Sequence, residues 1–299
     1  PNIHIHAFSP EEILYGAIRS EVSVEEYLKM LKEAGIGSLP GTAAEILDQE
    51  VRDIISPGRI SSKDWINIIK LAHSMQIPTT STIMYGHVES SLHKAKHLAL
   101  IRSIQKETCG FTEFVPLSFV HSEAPMYNHN IIPNIRPGAD GNEVIKMHAV
   151  SRIMLHGHIN NIQVSWVKEG PRMSQLLLAA GVNDFGGTLI NESISTAAGA
   201  QYGQLMKPKQ IRSIIRSAGR IPAQRSTTYR LLKVYDVEED YQNYSDTKLD
   251  KADPREFGSY KELIKLDTFR YRDQNKNSYF QMRCSLEKNM HSHFQVTII

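Results

Sequence analysis

The chain has 299 residues, 41% of them apolar and 22% charged, with a formal charge of +2. That length supports a large core, and the near-neutral balance gives no electrostatic case for nucleic acid or an anionic membrane as a partner. Two cysteines, Cys109 and Cys284, cannot by themselves build a disulfide framework or a cysteine-rich metal site. No run approaches the ~20 apolar residues of a membrane span, nor the pattern of a secretory signal, so a reducing, cytoplasmic setting is expected.

Ile3–Phe8 alternates apolar residues with His4 and His6 and reads as a strand that opens the chain, as though a unit preceded it. Ser23-x-x-Glu26 is a capping box, and the helix after it shows Val24, Tyr27, Leu28 and Leu31 on one face before Gly35 ends it. A short strand is expected at Ile36–Leu39, a turn at Pro40-Gly41, and a helix from Thr42 to about Ile55. Thr42-x-x-Glu45 has capping-box spacing. Glu45 therefore either reaches back to the Thr42 amide or leans over the ligand face beyond a parallel strand. Ser61-x-x-Asp64 opens the next helix, with Trp65, Ile68, Ile69 and Ala72 as its buried stripe. Thr79–Tyr85 is a strand, about Glu89–Lys106 a helix, and Phe111–Val120 a strand. Tyr127–Gly141, with its prolines and glycines, is a loop. Helices follow at about Glu143–Leu155, Arg172–Ala180 and Pro208–Ser217, and strands at Ile159–Val167 and Val182–Ile190.

Strand followed by helix, repeated six times over residues 1 to about 218, implies an α/β fold with a parallel sheet. A complete eight-fold barrel takes roughly 250 residues. The expectation is a partial (β/α) TIM-like barrel over residues 1–229, open or with its first units before Pro1. Residues 230–299 turn acidic and polar from about Tyr235 and read as a peripheral or partly disordered extension.

Parallel strands covered on both faces are usually continuously apolar. Here Ile3 and Ile5 alternate with His4 and His6; Ile162, Val164 and Trp166 alternate with Asn161, Gln163 and Ser165; and Thr80 and Thr82 share a face with Met84. The apolar face belongs under the helices, so the polar face lines a lumen that a polar ligand or water must satisfy. One rival reading is a zinc site. His4-x-His6 at the start of a barrel resembles the metal-binding pair of amidohydrolase-like barrels, with His87, His121 and Asp184 near strand ends. A non-catalytic polyol-binding or partner-binding remnant is another.

Several stretches are similar to the second subunit of FO synthase, a radical S-adenosylmethionine (SAM) family of deazaflavin biosynthesis. They are residues 3–13 (IHIHAFSPEEI), 38–47 (SLPGTAAEIL), 81–90 (STIMYGHVES), 110–125 (GFTEFVPLSFVHSEAP), 152–170 (RIMLHGHINNIQVSWVKEG), 183–195 (NDFGGTLINESIS) and 218–229 (AGRIPAQRSTTY). The resemblance implies a radical SAM-type barrel and transfer of the 4-hydroxybenzyl part of L-tyrosine to 5-amino-6-(D-ribitylamino)uracil. Related enzymes of the futalosine route to menaquinone share much of the pattern. The 183–188 run and the 163–166 strand favour the deazaflavin branch.

By this resemblance Gly41, Thr42 and Glu45 match the segment that holds the SAM ribose, whose two hydroxyls a carboxylate can accept, and this now favours binding over capping for Glu45. His4, His6, Tyr85, His87, Gln163, Ser165, Asn183 and Asp184 match positions that meet tyrosine or the ribityl chain. The catalytic residue stays unassigned. The family also implies a 4Fe-4S cluster on a Cys-x3-Cys-x2-Cys loop, whose ligands this chain lacks, and Cys109 stands where the family usually has Gly. The expectation is a partial chain completed by a cluster-bearing N-terminal half, with the deazaflavin-ring-closing FO synthase subunit 1 as a further partner.

Overall fold

The structure, a computed structural model, describes residues 3–190, 192–203, 205–235, 248–253, 262 and 265–266. In chain order it has helices α1 (Pro10–Arg19), α2 (Val24–Glu33), α3 (Gln49–Ile55) and α4 (Ser62–Ser74), strand β1 (Thr79–Tyr85), helix α5 (Ser91–Thr108) and strand β2 (Phe111–Ser118). Helices α6 (Pro125–Asn128), α7 (Gly141–Leu155), α8 (Trp166–Leu177), α9 (Ser193–Ala197) and α10 (Pro208–Ser217) follow. A hairpin of β3 (Ala223–Arg225) and β4 (Leu231–Val234) and a short α11 (Lys248–Lys251) come last. No helix among the described residues is long and apolar enough to cross a membrane.

The helix starts are local. Ser23 caps α2 with Glu26 reaching back to its amide, and Ser61 caps α4. Helix α1 has no counterpart in the sequence reading, although its signals are present: Ser9 and Glu12 form a capping box and Pro10 stands at the first helical position.

Three expectations need correction. The helix expected from Thr42 begins only at Gln49, because Ala43 (φ 59°) and Glu45 (φ 42°) are left-handed. The backbone there bonds to β1 instead of to itself: Gly41 N donates to Thr80 Oγ1, Thr82 donates to the Gly41 carbonyl, and Met84 N donates to the Glu45 carbonyl. Glu45 caps no helix. The strand expected at Ile159–Val167 ends early, for Trp166 already starts α8, which breaks at Gly170-Pro171. The expected Val182–Ile190 strand makes a single bridge among the described residues, at Asp184.

The parallel pairings run in chain order: His6 with Ser38, Leu39 with Thr79, β1 with β2, Phe114 with Ile162, and Gln163 with Asp184. The result is a mixed α/β fold with parallel strands. Its helix-covered side holds Ile83, Phe114, Ile162 and Val164 against Ile69 and Ala72 of α4 and Leu98 and Ile101 of α5. Each such large side chain contributes roughly 1.5–3 kcal/mol by leaving water. The expected boundary at 229/230 falls between the paired strands β3 and β4, and the tail reading lies largely outside the described residues.

Cys109 ends α5 in a left-handed conformation (φ 53°, ψ 20°) and is exposed. A side chain there costs conformational energy that glycine does not. Cys109→Gly should raise stability by about 1 kcal/mol, measured by urea unfolding; an unchanged or lower midpoint would refute the assignment of strain.

Candidate functional site

Partners in a parallel register project to the same side of a sheet. Thr79, paired with Leu39, lies 2.9 Å from His73 of α4, and Phe114, paired with Ser81 and Ile162, lies against His97 of α5. That is the helix-covered side. The opposite, inner side carries His6 with Ser38, then Thr80 and Thr82, Glu113, and Gln163 with Asp184.

On the inner side His4 Nε2 and His6 Nδ1 each lie 2.7 Å from the Ser38 hydroxyl. One hydroxyl has one proton, so one ring accepts it and the other donates. Arg225, from the hairpin, pairs with Asp184 through Nε and through Nη2 (2.9 Å), and Nη2 also reaches Gln163 Oε1 at 3.3 Å. Its guanidinium lies 4.0 Å over the Tyr229 ring, and Tyr229 donates to the Glu113 carboxylate, itself 3.6 Å from Arg225. Burial pushes the Glu113 carboxyl up to about 7; the Tyr229 hydroxyl and Arg225 oppose this and Asp184 adds to it. Sequence reasoning missed Glu113, Arg225 and Tyr229. Only Glu113 left a local signal, as the one charge within an otherwise mostly apolar strand.

Nearer the C-terminal ends of the strands, residues 41–45 are gripped on all sides. Trp65 Nε1 donates to the Thr42 carbonyl at 3.1 Å. Arg52, 2% exposed, donates through Nη1 to the carbonyls of Ala43 (3.0 Å) and Ala44 (2.6 Å) and through Nε to Ile60. A Cβ on Gly41 would sit 2.1 Å from the Thr80 carbonyl oxygen, so only glycine fits. Two left-handed non-glycine residues held by this many bonds mark a loop whose shape is over-determined. Within it the Glu45 carboxylate makes no hydrogen bond with any described residue. Burial raises its pKa, against the attraction of Arg59 and Arg52.

Other groups at these strand ends are incompletely satisfied. The Tyr85 hydroxyl and Glu169 Oε1 are buried without a hydrogen bond among the described residues. Tyr85 pairs with Ser118 and so lies on the helix-covered side, where burial and the nearby Glu169, Glu143 and Glu89 raise its pKa well above the usual value. His87 is fully buried: Nε2 lies 3.0 Å from the Met84 carbonyl and Nδ1 accepts from Val88 N. Its neighbour Glu89 accepts from the Gly86 and His87 amides and from Arg136.

The Ser165 carbonyl accepts from the amides of Lys168 and Glu169 at the start of α8. Asn183 is exposed and ties Ile162 N and Arg152 together while donating to the Asn160 carbonyl. The structure thus gathers His4, His6, Gln163 and Asp184 on one side of the sheet and Gly41, Thr42 and Glu45 in one loop. Tyr85 lies on the helix-covered side, His87 is buried, and Asn183 is exposed.

The donor set does not fit an iron–sulfur cluster, which is held by several cysteine thiolates. The chain has two cysteines; Cys109 is exposed at the end of α5 and Cys284 is outside the described residues. Among the described residues no three His, Cys, Asp or Glu side chains are grouped to hold a metal ion.

Residues 108–237, from β2 through the β3–β4 hairpin, match a family described as the CofH/MqnC C-terminal region. The chain is 50% identical over 230 residues to the 5-amino-6-(D-ribitylamino)uracil–L-tyrosine 4-hydroxyphenyl transferase of Methanothermobacter thermautotrophicus, covering 77% of this chain and 62% of that protein. The protein of the same name from Methanocaldococcus jannaschii is 52% identical over 232 residues, 78% of this chain and 64% of that one. A third, from Archaeoglobus fulgidus, is 48% identical over 230 residues, 77% and 65%. The chain therefore spans just under two thirds of the length of these curated relatives.

Proposed function

We propose, from the match of residues 108–237 to the CofH/MqnC C-terminal region, that this chain is the substrate-bearing part of a radical SAM transferase. The reaction is the one its relatives' name describes: a tyrosine-derived 4-hydroxyphenyl group passes to 5-amino-6-(D-ribitylamino)uracil. The parallel segments, succeeding one another in chain order, are read as part of a (β/α) barrel.

The observation that carries the reading is identity at about half of the aligned positions across three quarters of the chain. The family description covers two branches, and the relatives above bear the transferase name, which favours the deazaflavin branch.

In this reading Glu45, presented by the clamped loop with Gly41 and Thr42, takes the ribose hydroxyls of SAM. Its carboxylate fits a diol because it is held in place and has accepting capacity to spare. His4, His6, Gln163 and Asp184 offer hydrogen bonds to tyrosine or the ribityl chain. Bound SAM supplies the source of a carbon radical once a cluster is present. The residues of this chain do not fit that cluster, so no step is assigned to it.

Isothermal titration calorimetry tests the assignment. SAM should bind the wild-type chain, and Glu45→Gln should weaken it at least tenfold while 5-amino-6-(D-ribitylamino)uracil binds unchanged. Equal SAM affinity in the two proteins would remove Glu45 from the site.

A further inference from the structure

We propose that the side-chain amide of Gln163 is the donor that reads a ring carbonyl of the pyrimidine ligand on the inner side of the sheet. The direction of this amide is set by its neighbours. Arg225 Nη2 donates to Gln163 Oε1 at 3.3 Å. A guanidinium has no acceptor, so the oxygen must face Arg225 and the NH2 group must face away from it. Gly186, in a left-handed conformation (φ 74°), lies against the amide: a Cβ there would sit 2.9 Å from Gln163 Cδ and 3.0 Å from Nε2. The NH2 group donates to no described residue. It is a donor with a fixed direction and no partner.

Three observations say what it should meet. Gln163 follows Ile162 as Val115 follows Phe114, its bridge partner, so on the inner side the amide stands next to Val115. Val115 pairs with Thr82, and two residues on Leu117 pairs with Met84, so this stretch of the inner side turns apolar toward the C-terminal ends of the strands. An apolar floor with a donor at its edge suits a flat ring carrying a carbonyl. The nearby acceptors are largely engaged: Asp184 takes the Gly186 amide at 2.6 Å and both Nε and Nη2 of Arg225. A hydroxyl at this spot would find little to donate to, whereas a carbonyl needs only a donor. Nor is there a spare cation for an anionic acceptor, because Arg225 already faces Asp184 and, at 3.6 Å, Glu113. The inference rests on the transferase reading, in which the uracil ring supplies neutral carbonyls and L-tyrosine supplies a carboxylate.

Calorimetry with 5-amino-6-(D-ribitylamino)uracil and with 5,6-diaminouracil, which keeps the ring and lacks the chain, tests it. Gln163→Glu preserves an acceptor for Arg225 and removes the donor; Gln163→Met removes the amide without adding charge. Both variants, checked for folding by circular dichroism, should bind each ligand about tenfold more weakly than the wild-type chain. Wild-type affinity within twofold for both ligands in the folded variants overturns the Gln163 assignment and leaves the transferase reading standing. A loss confined to the ribityl compound, or wild-type binding of that compound alone, places the donor on the chain and overturns the carbonyl assignment. A wild-type chain that binds neither compound overturns the transferase reading and this inference with it.

Discussion

Lowering the pH from 6.5 to 4.5 should cost this fold about 5 kcal/mol of stability, as three buried histidines outweigh the opposite titration of Glu113. His97 and His148 are 1% and 0% exposed, and His73 is 8% exposed. Burial lowers the pKa of His73 and His148 to about 4 and that of His97 to about 3. The contacts of His97 and His148 favour the neutral ring. His97 Nδ1 accepts from Leu47 N, so a proton there would face an N–H; His148 Nδ1 donates to the Val144 carbonyl, and its Nε2 is buried without a partner among the described residues. His73 sits between the hydroxyls of Thr108 and Thr79.

Each histidine has a folded pKa below its unfolded value near 6.5. Its stabilising contribution is therefore complete above that pH and is lost as the pH falls toward the folded value. Glu113 works the other way: its folded pKa, about 7, exceeds the unfolded one, so its contribution is complete below about 4.5 and lost as the pH rises through 7. In the window between, these four groups together hold about two more protons in the unfolded state than in the folded one, a slope of about 3 kcal/mol per pH unit. Urea unfolding at pH 6.5, 5.5 and 4.5 reads this slope directly. Glu113→Gln removes the opposing proton and should steepen it to about 4 kcal/mol per unit. A midpoint independent of pH over this range would contradict the neutral-histidine account.

The second large effect is expected at Arg225. Its side chain is 24% exposed, while those of Asp184 and Glu113 are 10% and 11% exposed. Removing the cation leaves two carboxylates facing each other with little solvent, the situation in which breaking one partner of a buried pair is most destabilising. Arg225→Ala should cost about 3 kcal/mol in urea unfolding. Adding Asp184→Asn should recover part of that loss, because one of the two unpaired carboxylates is then removed. A loss below about 1 kcal/mol, the range of an exposed ion pair, would mean that the hairpin does not hold the inner face.

These two predictions draw on contacts of different sequence range. Helices α2 and α4 are legible from four-residue capping patterns and apolar spacing, and the Thr80–Thr82–Met84 face of β1 follows from simple alternation. The 41–47 loop could not be read this way. Thr42-x-x-Glu45 has helix-start spacing, and only bonds from Trp65, Arg52 and β1 pull it into left-handed turns. Likewise Gln163 and Asp184 look like free polar groups until Arg225 is placed, and Glu113 until Tyr229 is placed 116 positions away.

The sequence by itself determined the α/β alternation, the parallel sheet with a polar inner side, and the resemblance that leads to a transferase. The first two depend on residue type and on periods of two and 3.6 residues, which are local; the resemblance rests on whole stretches such as residues 38–47 and 110–125. Tertiary structure alone decided which charge neutralises which, and that Glu45 is presented by a clamped loop instead of a helix cap. Neutralisation depends on distance in space, and no local pattern in the chain encodes which distant segments are brought within a few ångströms.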